Sequence, residues 1–207
     1  MHDFDLLAVR HGRTAWNAGG RFQGQTDVPL DEAGRDQARR LGRAIAAIPV
    51  TRAVSSDLGR AAETAELALA GRGIPIARDA GWREMQFGAW EGLTWSVIAE
   101  RYPEAAARRG AFPTPTDGES FGALTERIRA AFERLRGAAI AGETVLVATH
   151  AGPLHALLRV AVGESEAAAL AVRFEPATYT HLAFRGARAE LVALNVSAPD
   201  DAATAAP

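Results

Sequence analysis

The sequence predicts a three-layer α/β/α sandwich around a mostly parallel central sheet. Two near-continuous apolar runs, Leu6-Leu7-Ala8-Val9 and Val145-Leu146-Val147-Ala148, have the length and composition of strands covered on both faces. Helical periodicity separates them, with Ala38, Leu41, Ile45 and Ile48 on one apolar stripe and Leu124, Ile128, Phe132 and Leu135 on another. The residues with reactive side chains, Arg10-His11, Ser56 and His150, all fall at the carboxyl ends of predicted strands. Open α/β sheets bind their ligands there.

Taken in order, the opening strand ends in Arg10-His11-Gly12 and gives way to a polar, glycine-rich loop from Ala18 to Pro29. Asn17, Gln23 and Gly24 could line a site just beyond His11. Asp31 is placed to cap the first amphipathic helix, which Pro49 should stop. Arg52 to Ser56 reads as a second strand, followed by a helix from about Asp57 to Gly71 with Arg60 in its first turn. Helix N-termini attract anions, and an Arg there adds charge to that preference, although an isolated one is usually just solvated. Ile74 to Ala77 reads as an edge strand, because Pro75 cannot donate to a ladder.

Residues 82–121 then concentrate Trp82, Phe87, Trp90, Trp95, Tyr102 and Phe112 with three prolines. This segment suits a lid or specificity wall, or a small satellite core under long loops. Ser120 begins another helix. Thr144 to His150 forms the second central strand, and Pro153 sits in the first turn of the helix after it. Thr178 to Phe184 and Glu190 to Val196 read as a closing hairpin. The whole is expected to be one domain over residues 1–196, with 197–207 a frayed tail.

Composition narrows the chemistry. A net charge of −2 supplies no basic excess for a nucleic-acid backbone. No apolar run reaches the roughly 18 residues of a membrane span, and residues 1–5 do not resemble a secretory leader, so the expected compartment is the cytoplasm. The chain has no Cys, which excludes thiolate nucleophiles and metal sites built on thiolates. All 23 basic side chains are Arg, so a P-loop or Schiff-base lysine is excluded and any phosphate must meet Arg, His or backbone N–H. Oligomeric state is not encoded legibly, and a homodimer stays open.

His11 is the candidate nucleophile. An imidazole nitrogen can attack phosphorus if it is neutral, fixed in one tautomer and faced by cations. Arg10 is one such cation. By itself Arg-His-Gly is equally compatible with a strand end whose side chains cap backbone groups.

Four separated motifs decide between these readings. Arg10-His11-Gly12, Ser56-Asp57-Leu58-Gly59-Arg60, Glu84 ahead of Phe87-Gly88-Ala89-Trp90-Glu91-Gly92, and Thr149-His150 together resemble the histidine phosphatase superfamily, also called phosphoglycerate mutase-like. The stretch from Arg21 to Leu30 adds a fifth, and the resemblance runs from residue 6 to residue 158 in the family's order. It implies that His11 attacks phosphorus to give a phosphohistidine that water hydrolyses. Arg10, Arg60 and His150 would hold the phosphoryl oxygens, and Glu84 would give a proton to the leaving alkoxide. Asn17, Gln23 and Gly24 match substrate-binding positions, and neither metal nor cofactor is implied.

Two departures are Ala151-Gly152 where many relatives have Gly-Gly, and Arg13 where Glu or Gln is frequent. His155 is not spaced from His150 as a metal pair and reads as helix surface or pocket wall, while His2 and His181 carry no role. Glycolytic mutases resemble this chain but carry a longer insertion between the positions of Glu84 and His150, so the expected activity is hydrolysis of a small phosphomonoester. Similarity to phosphatases of α-ribazole phosphate and to broad-specificity relatives points the same way. A phosphoglycerate mutase is the alternative. A protein phosphatase and a non-catalytic phospholigand-binding protein stand behind both.

Overall fold

The computed structural model describes residues 3–107, 112–186 and 188–198. Its strands are β1 (Phe4–Arg10), β2 (Arg52–Ser55), β3 (Ile76–Arg78), β4 (Glu143–Thr149), β5 (Tyr179–Arg185) and β6 (Arg188–Val196). They form a single sheet in the order β3-β2-β4-β1-β5-β6. The first four are parallel, and the β5–β6 hairpin joins antiparallel to β1. Alternation along β1 divides the core. Phe4, Leu6 and Ala8 face α6 (Phe121–Gly137) and α7 (Ala151–Leu157), whereas Leu7 and Val9 face α2 (Glu32–Ala44) and α3 (Gly59–Ala68), with a short α1 (Ala15–Ala18) preceding these. Each of the larger of these buried side chains, Phe4, Leu6, Leu7 and Val9, stabilises the fold by about 1.5–3 kcal/mol.

Register aligns the chemistry. Arg10 pairs with Thr149 and Ser55 with Ala148, so His11, Ser56 and His150 leave the sheet at one edge. The His11 N–H donates to the Thr149 carbonyl at 2.9 Å and the Ser56 N–H to the Ala148 carbonyl at 2.9 Å, extending the ladder to the residues that matter.

Several boundaries differ from expectation. Asp31 caps α2 through the Gly34 N–H, as its position suggests, but the helix ends at Ala44 instead of running to Pro49. The residue before a proline avoids helical geometry, and Arg72 draws the Ile45 and Ile48 carbonyls into its own hydrogen bonds. Ile48 still packs on the core, from a turn. The helix after β2 begins at Gly59, later than Asp57, and Leu69 ends it before Gly71. Beyond α7 the chain passes into one π-helical stretch, Leu158–Val162, that periodicity did not reveal.

The aromatic segment holds α4 (Trp95–Arg101) and α5 (Pro103–Ala107) and builds a satellite core of Trp90, Ile98 and Ala105, against which Phe22, Phe87, Tyr102 and Phe112 pack. Trp82 instead belongs to the main core. Residues 108–111 of that segment, Ala187 in the hairpin turn and 199–207 of the expected tail lie outside the described residues.

Candidate active site

His11 is fixed by what surrounds it. Its Nδ1 lies 2.7 Å from the Gly12 carbonyl. A carbonyl can only accept, so Nδ1 carries the proton and Nε2 keeps its lone pair. Burial, with the nearby charges of Arg60 and Arg10, holds the imidazole pKa well below its ordinary value, which keeps the ring neutral at neutral pH. Gly12 is required for close approach: a Cβ there would stand 2.4 Å from the Gly34 carbonyl oxygen. Its N–H donates to Thr64 Oγ1 at 3.0 Å, tying the turn to α3.

Two cations line the same cavity. Arg60, in the first turn of α3, is fully buried, and its Nη2 and Nη1 donate to the Gly24 and Thr26 carbonyls at 2.6 and 2.8 Å. Arg10 Nη1 donates to the Phe174 carbonyl at 2.5 Å. In both, Nε is buried without a hydrogen-bond partner. An unpaired buried donor costs about 1–3 kcal/mol, so these N–H groups favour an acceptor beside them. His150 stands behind, its ring 5.0 Å from that of His11 and its Nε2 2.9 Å from Ser56 Oγ. Its Nδ1 is also buried and without a hydrogen-bond partner, and it carries the proton in the tautomer whose Nε2 accepts from the Ser56 hydroxyl. Burial, with Arg60 beside it, lowers the His150 pKa as well.

Glu84 supplies a carboxyl with unusual proton affinity. It is 7% exposed, and burial outweighs Arg60 and Arg10 to raise its pKa. Oε1 accepts from the Met85 N–H at 2.8 Å and the Gly152 N–H at 3.1 Å. A Cβ on residue 152 would lie 2.3 Å from that oxygen, so a side chain there would have to displace the Glu84 carboxylate, and Ala151 beside it also lines the cavity.

The remaining expected residues divide. Asn17 and Gln23 line the cavity, their amide oxygens facing the Thr14 hydroxyl at 3.2 and 3.0 Å, which leaves each NH2 uncommitted to Thr14. Gly24 and His150 are not among the lining residues. Gly24 instead offers its carbonyl to Arg60 from a backbone at φ +56°, where glycine is favoured. His155 lines the wall and is held by the Val172 carbonyl at 2.8 Å. His181 pairs with Asp5 far from the cavity, and His2 lies outside the described residues.

Two positioning residues escaped sequence reasoning. Glu91 Oε1 accepts from the Gln25 and Phe87 N–H groups at 3.0 and 3.2 Å, and Oε2 from the Thr26 N–H at 2.9 Å and the Thr26 hydroxyl. One carboxylate thus staples the loop that anchors Arg60 to the segment that carries Glu84. Arg127 on α6 donates to the carbonyls of Gly81, Arg83 and Glu84. The sequence signal for Glu91 is its place in Phe87-Gly88-Ala89-Trp90-Glu91-Gly92, whereas Arg127 carries none. The cavity has a volume of about 360 Å³.

The chain is similar to several known proteins. The metal-independent phosphoserine phosphatase of Arabidopsis thaliana is 36% identical over 171 residues, spanning 78% of this chain and 70% of that protein. The 2,3-bisphosphoglycerate-dependent phosphoglycerate mutase 2 of Gloeobacter violaceus is 36% identical over 160 residues, spanning 74% of this chain and 73% of the mutase. The solved α-ribazole phosphatase of Shigella flexneri superposes with a TM-score of 0.82 at 25% identity, covering 93% of this chain and 96% of that one. Residues 6–197 match the histidine phosphatase superfamily, branch 1, and the chain therefore belongs to that family, with the phosphoglycerate mutase-like fold.

Proposed function

We propose that this protein is a metal-independent phosphatase of small phosphomonoesters that works through a phosphohistidine on His11. The observation that carries the reading is the fixed tautomer of His11, a neutral Nε2 in a cavity lined by Arg10, Arg60 and Glu84. In the first step Nε2 forms a bond to phosphorus as the bond from phosphorus to the alcohol oxygen breaks, and the Glu84 carboxyl gives its proton to that oxygen. Arg10, Arg60 and His150 stabilise charge on the phosphoryl oxygens, an effect worth on the order of 100- to 1,000-fold per donor. In the second step the Glu84 carboxylate takes a proton from water as the water oxygen attacks phosphorus and the P–N bond breaks. Inorganic phosphate leaves, and His11 is again neutral.

Residues 82–121 act in this reading as the specificity segment of one domain spanning 1–196, since Met85, Phe87, Phe112 and Phe121 all reach the cavity. The similarity to a mutase supports a second reading, in which the phosphoryl group returns to another oxygen of the substrate. Phosphate release from p-nitrophenyl phosphate and phosphorylated metabolites in EDTA, by wild type and His11→Ala, separates the two. Release that needs His11 and survives EDTA supports the phosphatase. No release, with interconversion of phosphoglycerates after priming by 2,3-bisphosphoglycerate, supports the mutase. Vanadate or inorganic phosphate is expected to compete in either case.

A further inference from the structure

We propose that the alcohol portion of the substrate is a flat apolar group, aryl or arylalkyl, seated against an aromatic wall; this rests on the phosphatase reading above. Phosphorus must lie at His11 Nε2, so the rest of a substrate extends into the rest of the cavity. Away from the phosphate end that space is bounded by Phe22, Met85, Phe87, Phe112, Phe121 and Leu170. Phe22 and Phe87 meet edge to face at 4.9 Å between centroids, and the rings of Phe87 and Phe112 lie tilted to one another at 6.0 Å. Buried Trp90 supports the group, 6.3 Å from Phe22 and 6.4 Å from Phe112. A wall of rings braced by one another is preorganised, so a bound ring loses little to ordering it.

Apart from the amide NH2 groups of Asn17 and Gln23, the same space offers a polar alcohol few partners to replace lost water. Glu84 is the one carboxylate among the described lining residues, and its hydrogen bonds go to the Met85 and Gly152 N–H groups, so a substrate ammonium meets no separate counter-charge. Arg21 lies at the exposed rim and donates to the Gly92 carbonyl at 2.7 Å, so a substrate carboxylate meets a solvated cation already engaged with backbone. His155 is held by the Val172 carbonyl and packs on Phe174 with centroids 5.1 Å apart. Burying hydroxyl or charged groups without matched partners is unfavourable, while burying a ring here is favourable.

Phenethyl phosphate and glycerol 1-phosphate test this, because both leave as alkoxides and differ in the group the wall would hold. The expected kcat/KM is about 10- to 100-fold higher for phenethyl phosphate, the range for burying one aromatic group. Phe112→Ala should bring that ratio toward one, and Phe112→Leu, which keeps apolar surface, should retain most of it. Dissociation constants measured by calorimetry with His11→Ala should show the same preference without turnover. A binding ratio near or below one, or a ratio that Phe112→Ala leaves unchanged, overturns the apolar seat even if both esters are hydrolysed. The expected binding ratio with no hydrolysis by wild type supports the seat and overturns the phosphatase reading instead.

Discussion

At the polar end of the cavity each key side chain is held by main chain: His11 by the Gly12 carbonyl, Arg60 by the carbonyls of Gly24 and Thr26, Glu84 by the N–H groups of Met85 and Gly152. At the other end Phe22, Phe87 and Phe112 are held by one another and by Trp90, ring against ring. Backbone anchors fix one position and one tautomer. Ring packing fixes a shape that other apolar residues can also fill. Selectivity can therefore change at one end while the chemistry at the other stays intact.

The sharpest way to break this contrast is His11→Ala. Turnover should fall by about 10,000-fold or more, while the melting temperature moves by only a few degrees, because the ring bonds only its neighbour's carbonyl. Comparable turnover by the variant would remove His11 from the chemistry.

Glu84→Gln should cost roughly 100- to 10,000-fold in kcat. It should also alter the pH profile. The proposed mechanism needs His11 neutral, and burial with the nearby Arg60 and Arg10 charges holds its pKa well below the usual value, so activity should persist as pH falls through the ordinary histidine range. The proposed first step needs Glu84 protonated, and its raised pKa places the expected loss of activity at higher pH; on that reading the alkaline limb should vanish in the variant. Stability carries the same sign. A carboxyl whose folded pKa is raised stabilises the protein below its unfolded pKa and loses that contribution as pH rises through the folded value. Gln cannot ionise, so thermal melts should show the variant gaining on wild type as pH rises.

A smaller effect is expected at Glu91, which joins the two halves of the polar end without lining the cavity. Glu91→Gln should lower kcat roughly 10-fold and weaken vanadate inhibition, by loosening the carbonyls that aim Arg60. An unchanged vanadate affinity would reduce Glu91 to a loop contact. The smallest effect belongs to Arg13. Its Nε pairs with Asp31 at 2.8 Å with 44% of the side chain exposed, so Arg13→Ala should cost at most about 1 kcal/mol in denaturant unfolding and leave kcat/KM within error.

The same contrast explains what could be read in advance. The strands that carry Arg10-His11 and His150 announce themselves as apolar runs, and the family motifs point to Arg60 and Glu84, so most of the polar end is legible from local order. The early end of α2 at Ala44 depends on Arg72, twenty-four residues beyond Ile48, and no local pattern contains that partner. Arg127 is an ordinary helical arginine until its three carbonyls are brought to it. Phe22 is separated in sequence from the aromatic segment it joins, so the wall became visible only as tertiary packing.

The pairing of Arg10 with Thr149 also bears on how the protein acquires activity as it folds. β1 and β4 lie side by side although more than a hundred residues separate them in the chain. Closing so long a loop is entropically unfavourable until the intervening helices have somewhere to pack. Local helices can form early, but no partial structure lacking that central pair brings His11 to His150. On the phosphatase reading, recovery of turnover during refolding would therefore time the assembly of the middle of the sheet, with phosphate release as the clock.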